Sequence, residues 1–252
     1  MNKIIEVKNL TKKYGDFTAV DDISFFVESQ EIFGILGPNG AGKTTTLEMI
    51  EGLRKIDSGE VTVAGINVSE DINKVKSMIG VQLQASSFFE YLTLEELLIF
   101  FGNLYEREVN SDELLKEVEL LDKKKSYINT LSGGQKQRFS IASALVNDPK
   151  ALFLDEPITG LDPQARRHLW ELIKQIRKKG KTVIITTHYM DEAEVLCDRV
   201  AIMDQGKIIS LDTPLKLIQE LLGKGFEKKV IEQKANLEDV FLDLTGHGLR
   251  ES

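Results

Sequence analysis

The sequence predicts an α/β protein in which helices pack on a largely parallel sheet. Three features predict it. Strand patterns alternate with helical ones on both sides of a helical interruption; two strands, Ile32–Leu36 and Ala151–Leu154, are continuous apolar runs suited to burial; and the first of these runs straight into a glycine-rich turn that opens a helix. The length of 252 residues suits one large domain or two closely joined subdomains.

In order along the chain, residues 3–36 read as strands, with Ile23, Phe25 and Val27 alternating against polar neighbours around Phe26. A helix over 43–53 follows the glycine-rich turn, and Gly59–Gly65 and Met78–Leu83 read as two more short strands. From Thr93 to Leu121 the pattern becomes two helical stretches. Thr93 with Glu96 three residues later forms a capping box, and Ser111 or Asp112 is the expected N-cap of the second stretch. Lys136–Val146 continues the helical character. Beyond Asp148-Pro149 the alternation returns: strand 151–155, helix 163–179 closed by Gly180, strand 181–187, helix 189–197, strand 199–203, and a turn at Gln205-Gly206 into strand 207–211. An amphipathic helix is expected near 214–222, and Leu237–Leu244 is a mixed segment of no definite form.

Composition excludes several classes. Hydrophobic residues make up 42%, charged residues 29%, and prolines number five, a balance at odds with disordered or collagen-like chains. A net charge of −8 gives no broad basic surface for nucleic acid, so no nucleic-acid partner is expected. The single cysteine, Cys197, allows neither an internal disulfide nor a thiolate metal cage and points to a reducing compartment. The start, Met1 to Glu6, turns charged too early for a secretory signal, and no apolar run approaches the ~18 residues of a membrane span. The expectation is a cytoplasmic chain that is soluble by itself.

Gly37-Pro38-Asn39-Gly40-Ala41-Gly42-Lys43-Thr44 fits the phosphate-binding P-loop pattern, in its required place between an apolar strand and a helix. Glycines let successive amides face one anion, the helix N-terminus adds its positive dipole end, Lys43 reaches terminal phosphates and Thr44 offers a hydroxyl to magnesium. Ala151–Leu154 ends in Asp155 and Glu156, two carboxylates costly to bury without a cation. Asp155 suits the metal, and Glu156 suits proton acceptance from a water attacking the γ-phosphate; a solvated acidic strand end is the alternative for the pair taken alone. Leu131-Ser132-Gly133-Gly134-Gln135 opens the helix-like stretch and makes a second candidate anion site.

Taken in this order, with Ser132 standing 23 residues before Asp155, these motifs resemble the nucleotide-binding subunit of ATP-binding cassette (ABC) transporters, whose signature is LSGGQ. The resemblance runs from about residue 4 to residue 245. It implies the P-loop NTPase fold in its ABC ATPase form: a RecA-like core with a mostly parallel sheet, an N-terminal antiparallel β-subdomain and an inserted α-helical subdomain over about 85–148. The ATP-binding domain would then span 1–222 and a short C-terminal extension 223–252.

The resemblance also assigns roles. Tyr14 matches the aromatic that stacks on adenine, although a half-buried strand-end tyrosine is an ordinary feature. The P-loop residues, with Thr45, hold the phosphates. Gln84 matches the glutamine that senses magnesium and the attacking water, with Gln82 as a near neighbour. Leu161-Asp162 resembles the loop at the dimer interface, and Asp162 before Pro163 also reads as a helix N-cap. His188 matches the histidine at the γ-phosphate. ATP and Mg2+ are the implied cofactors, and each ATP would lie between one chain's P-loop and the Ser132–Gln135 signature of another. Both half-sites carry complete residue sets, which favours a homodimer over a heterodimer.

An ABC subunit without spans implies a separate membrane permease and a place on the cytoplasmic side of the membrane. Phe88-Phe89-Glu90-Tyr91-Leu92 and Leu97–Phe101 are rich in large apolar residues, and part of this segment is expected to receive the permease; packing of the helical subdomain's own core is the alternative. Thr187–Glu194, Gly160–Pro163 and Asn236–Leu242 resemble exporters of drugs, antibiotics or lipids. Two other readings stand beside this one: a soluble ABC ATPase of ribosomes or DNA, which usually carries two cassettes, a long coiled coil or zinc cysteines, and an ATP-gated binding module, against which Glu156 and His188 weigh. A GTPase fits poorly, because the nearest match to its guanine-reading pattern, Asn73-Lys74-Val75-Lys76, ends in lysine.

Overall fold

The computed structural model describes residues 2–84 and 87–226. The chain divides into two compact units, Met1–Leu217 and Ile218–Ser252. Expectations for Leu237–Leu244 and Asn236–Leu242 lie outside the described residues.

In the first unit β1 (Lys3–Tyr14) and β2 (Phe17–Glu28) form an antiparallel hairpin, and β1 pairs on its other edge with β4 (Ser58–Val63), which continues into the short β5 (Ile66–Asn67). This is the N-terminal antiparallel sheet. Its inward residues alternate, as a half-buried sheet requires: Ile5 and Val7 of β1 pair with Val63 and Val61 of β4, and all four are buried.

The second sheet has the order β10-β9-β3-β8-β7-β6, built from β3 (Ile32–Leu36), β6 (Ile79–Gln82), β7 (Ala151–Asp155), β8 (Thr182–Thr187), β9 (Arg199–Asp204) and β10 (Lys207–Asp212). Every pairing is parallel except β9 with β10. β3, β7 and β8 are buried at every position, which is why they read as continuous apolar runs. Their side chains divide by parity. Leu152 and Leu154 face the helices, whereas Ala151 and Phe153 face the antiparallel sheet. Parallel register brings the ends of three strands level, with Leu36 beside Thr187 and Asp155 beside Thr186. The residues just past those ends therefore share one edge, the usual ligand edge of an open parallel sheet.

Between β6 and β7, which pair directly, lie α3 (Leu94–Leu104), α4 (Ser111–Glu117) and α5 (Gly133–Ala144). The Thr93/Glu96 capping box is present. The N-cap of α4 is Asn110 rather than Ser111 or Asp112: its side chain accepts the Glu113 N–H at 3.3 Å, while Ser111 is the first, buried residue of the helix. Leu97 and Leu98 of α3 pack with Leu115, Val118 and Phe139 in the core of this insertion. A short helix unforeseen from the sequence, α2 (Ile72–Lys76), is only 5 residues long, too short to show a helical period. The remaining helices are α1 (Lys43–Ile50), α6 (Pro163–Lys178), α7 (Met190–Leu196) and α8 (Pro214–Gly223).

Glu51, which closes α1, is 2% exposed. Burial, with the charges of Asp155 and Glu48 nearby, pushes its pKa up to about 8. Between the ordinary value of 4.5 and about 8 the folded chain holds a proton that the unfolded chain has released, so this carboxyl lowers stability as pH rises through that window. Glu51→Gln carries no charge in either state. The Tm advantage of the variant over the wild type should therefore grow from about pH 5 to about pH 8.5 in thermal melts, and a difference independent of pH would contradict the assignment.

Candidate active site

The loop from Gly37 to Gly42 joins β3 to α1 and depends on glycine at both ends. A Cβ on Gly37 would lie 2.1 Å from the Met203 carbonyl oxygen, and one on Gly42, whose φ is +101°, would lie 2.4 Å from that of Ala19. Pro38, Asn39 and Gly40 are exposed at the tip, and Ala41 is buried beneath it. Lys43 is 4% exposed. Its Nζ donates to the carbonyls of Gly37 at 2.9 Å and Pro38 at 3.1 Å and lies 3.4 Å from Glu156 Oε1.

Across the loop, Thr44 Oγ1 lies 3.2 and 3.3 Å from the two carboxylate oxygens of Asp155 at the end of β7. The Thr186 hydroxyl donates to Asp155 as well. Burial raises the Asp155 pKa, and the Thr186 and Thr44 hydrogen bonds act against that rise. Glu156 leaves the strand with φ +48°, a left-handed conformation that a non-glycine residue holds only when its surroundings fix it. Here the Glu156 N–H donates to the backbone oxygen of Thr186 at 3.1 Å and to its hydroxyl at 3.0 Å. The turn places the carboxylate among Lys43, the Thr159 hydroxyl at 3.3 Å, Gln84 Nε2 at 3.5 Å and His188 Nδ1 at 3.2 Å.

Gln82 and Gln84 separate clearly. Gln82 is buried on β6 and donates to the Leu83 carbonyl at 2.6 Å, whereas Gln84 lies past the strand end beside Glu156. A cleft of about 380 Å3 runs from Tyr14 and Phe17 past Asn39, Gly40, Thr44 and Thr45 to Gln84 and Glu156. Tyr14, 42% exposed, has Lys12 and Arg54 within 5.6 and 5.5 Å of its ring.

The second motif lies elsewhere. Ser132 is the N-cap of α5 and forms a reciprocal capping box with Gln135, so the serine hydroxyl accepts the Gln135 N–H and remains able to donate outward. Gly133 has open space around it, while Gly134 packs close to Ala165 of α6. Asp162 caps α6, accepting from Gln164 N at 2.9 Å and Ala165 N at 3.0 Å. Ser132 to Gln135 share a cleft of about 370 Å3 with Leu161 and Asp162. Among the described residues none lines both this cleft and the P-loop cleft.

Sequence reading missed Phe17 in the first cleft, Thr159 and Thr186 as hydrogen-bond partners of Glu156 and Asp155, and Arg138 and His168 in the second cleft. A hydroxyl pair ending the apolar run Val183–Ile185 was the available signal for Thr186. The others are brought in by tertiary structure alone.

The donor chemistry fits ATP and magnesium. Amides of a glycine loop, a helix N-terminus and a buried lysine suit phosphates, and the oxygens of Thr44, Asp155 and Gln84 are the hard ligands magnesium prefers. Among the described residues no cluster of three or more His, Cys, Asp or Glu could hold a metal alone. Phosphate oxygens would complete such a site, as they do for magnesium in nucleotide enzymes. Fold and site define a P-loop nucleotide hydrolase.

The family model described as ABC transporter matches residues 20–159. The linearmycin resistance ATP-binding protein LnrL of Bacillus subtilis (strain 168) is 40% identical over 254 residues, covering 99% of this chain and 77% of its own length. The Nod factor export ATP-binding protein I of Burkholderia lata is 41% identical over 224 residues, covering 87% of this chain and 74% of its own. Among solved structures, cbiO1 from Clostridium perfringens, part of the ABC transporter complex cbiONQ, aligns with TM-score 0.80 at 30% identity over 89% of this chain and 94% of its own. The ATP-binding cassette MJ0796 in a dimeric post-hydrolysis state with ADP and Pi aligns with TM-score 0.75 at 28% identity, over 83% of this chain and 98% of its own.

The chain belongs to the ABC transporter ATP-binding family. It is an ATP-binding, ATP-hydrolysing transporter subunit that uses magnesium.

Proposed function

We propose that each ATP is held between the P-loop cleft of one chain and the Ser132–Gln135 cleft of a second copy, and that closure of this homodimer drives a membrane permease. The observation that carries the reading is the separation of two anion-suited clefts, each bearing half a site, with no described residue lining both.

In the first half-site Tyr14 stacks on adenine, and Gly37 to Gly42 wrap the phosphates. Lys43 turns from Gly37, Pro38 and Glu156 toward them, with Thr45 completing the contacts. Thr44, Asp155 and Gln84 would hold magnesium, which would supply positive charge against that developing on the phosphates. Glu156 accepts the proton of the attacking water, and His188 and Gln84, both beside its carboxylate, orient the water and the γ-phosphate. From the second chain Ser132, Gly133, Gly134 and Gln135 cap the same phosphates, and Asp162 holds the interface loop by capping α6. We take residues 1–222 as the ATP-binding domain, with the helical subdomain over about 85–148 and an extension over 223–252.

Among the described residues no helix is long and apolar enough to cross a membrane. We take the permease to be another polypeptide, with this subunit on the cytoplasmic side of the membrane against it. The apolar segment divides in two. Leu97 and Leu98 are core, and Phe88 packs edge-on against buried Phe139, so these serve the subdomain itself. Phe89 and Tyr91 are 57% and 89% exposed, and Phe89 lies edge-on to Phe100. Phe100 in turn contacts Phe101, which lines an apolar groove with Leu53, Val81, Leu83 and Tyr105. We assign this exposed surface to the permease. One relative is named for linearmycin resistance and another for Nod factor export, which supports export of drugs, antibiotics or lipids.

Tagged Glu156→Gln protein with ATP should retain an integral membrane protein of several spans from mildly solubilised source membranes. Phe89→Asp added to it should lose that partner while keeping the wild-type melting temperature. Retention of only ribosomal or DNA-associated proteins would favour a soluble ATPase, and unchanged capture by the Phe89→Asp chain would remove the docking assignment.

A further inference from the structure

The two clefts of a single chain are joined by a short run of side-chain contacts. Leu161, at the signature-side cleft, offers its backbone carbonyl to Arg166 Nε at 2.9 Å. The Arg166 guanidinium lies 4.6 Å from the centre of the Tyr189 ring, within cation–π range. That ring lies 4.2 Å from the His188 imidazole at an interplanar angle of 35°, and His188 Nδ1 lies 3.2 Å from Glu156 Oε2. Among the described residues no carboxylate stands within ion-pair distance of Arg166. Its hydrogen bond goes to a carbonyl and its guanidinium covers a ring face, while its charge also acts on the buried carboxylate of Glu192.

The backbone beside the ring is anchored. The Tyr189 N–H donates to the Thr187 hydroxyl at 3.0 Å, and Thr187 ends the fully buried strand β8. The Leu161 carbonyl and His188 are thus joined by the guanidinium and the two rings. Rotation of the Tyr189 ring changes what the imidazole packs on, and so which direction its Nδ1 faces.

We propose that Arg166 and Tyr189 are positioning residues that tie the setting of His188 at a chain's own P-loop to the placement of the Leu161-Asp162 loop at its signature cleft. Filling the signature side of a chain then sets the hydrolytic competence of the nucleotide on that same chain's P-loop, and the two composite sites of a dimer fire in a linked way. This rests on the composite-site reading above.

The test is steady-state hydrolysis over a range of ATP concentrations for Arg166→Gln, Tyr189→Leu and the double variant, with thermal melts. Arg167→Ala, on the exposed side of α6, and Glu156→Gln serve as controls. Each single change is expected to lower kcat about tenfold with KM within about twofold, and the double variant to be no worse than the weaker single, because both cut one connection. The Hill coefficient should fall toward one in all three, Arg167→Ala should match the wild type, and the melting temperatures should stay near it. The two residues stand on different elements, so misfolding of one variant leaves the other informative. Losses that multiply to about a hundredfold in the double variant, or wild-type kcat in both singles beside an inactive Glu156→Gln, would overturn the connection alone. Wild-type turnover by Glu156→Gln would overturn the site reading beneath it.

Discussion

Replacing Glu156 with glutamine is expected to lower steady ATP hydrolysis about a thousandfold while leaving ATP binding in place, since positioned acid–base groups contribute ~10²–10⁴ in rate. The change is nearly isosteric and removes only the proton acceptor. Lys43 keeps its two carbonyl partners, Gly37 and Pro38, and the Thr159 hydroxyl can still donate to the remaining amide oxygen. The left-handed backbone at residue 156 is held by Thr186 through main-chain bonds that the substitution does not touch. Phosphate release measured beside nucleotide titration separates the two effects. Turnover within about tenfold of the wild type would remove Glu156 from the proton-accepting role.

Lys43→Ala should act on binding and on stability together. Lys43 and Glu156 have side chains only 4% and 8% exposed, so removing the lysine leaves a nearly enclosed carboxylate without its cation. Breaking a buried pair costs about 3–5 kcal/mol, and the contacts of Glu156 with Thr159, Gln84 and His188 place the expected loss at the low end, about 3 kcal/mol. ATP affinity should fall by about two orders of magnitude or more with the loss of the charge-assisted phosphate contact. Adding Glu156→Gln to Lys43→Ala should restore most of the stability and none of the binding, because the orphaned charge has gone while the phosphate partner is still missing. Denaturant unfolding and nucleotide titration of the four proteins in this cycle check both halves. Wild-type affinity in Lys43→Ala would contradict the assignment.

Much of this was legible before the structure because strong local rules coincide with function. β3 and β7 read as buried strands since helices and a second sheet cover both faces, and the P-loop glycines are required by contacts as close as 2.1 Å. Asp162 read correctly as a cap. The capping box of Ser132 and Gln135 is equally legible in the spacing, and α5 starts at Gly133, three residues before the helical stretch the pattern from Lys136 indicates, because two glycines weaken the helical signal there. Gln82 and Gln84 stay ambiguous in sequence because strand alternation would put both on one face. The strand in fact ends at Gln82, and the alternation ends with it. Asn110, Ser111 and Asp112 are all capping residue types, and only the backbone decides among them. Phe17 and His168 join their clefts, and Thr159 and Thr186 reach the carboxylates of Glu156 and Asp155, through sheet register and loop return, which no local pattern encodes.

The central claim is that a working site needs two chains, and mixing two inactive variants tests it most directly. Lys43→Ala spoils the P-loop half. Gly133→Asp spoils the signature half by setting a carboxylate against phosphate, at a helix-start position with open space where an acidic residue is well tolerated. Each variant alone should be inactive. Mixed in equal amounts with ATP and magnesium, they should recover hydrolysis well above either variant alone and at most about a quarter of the wild type, because half of the randomly paired dimers carry one intact composite site and its linked partner site is spoiled. A mixture as inactive as its separate components would contradict the account.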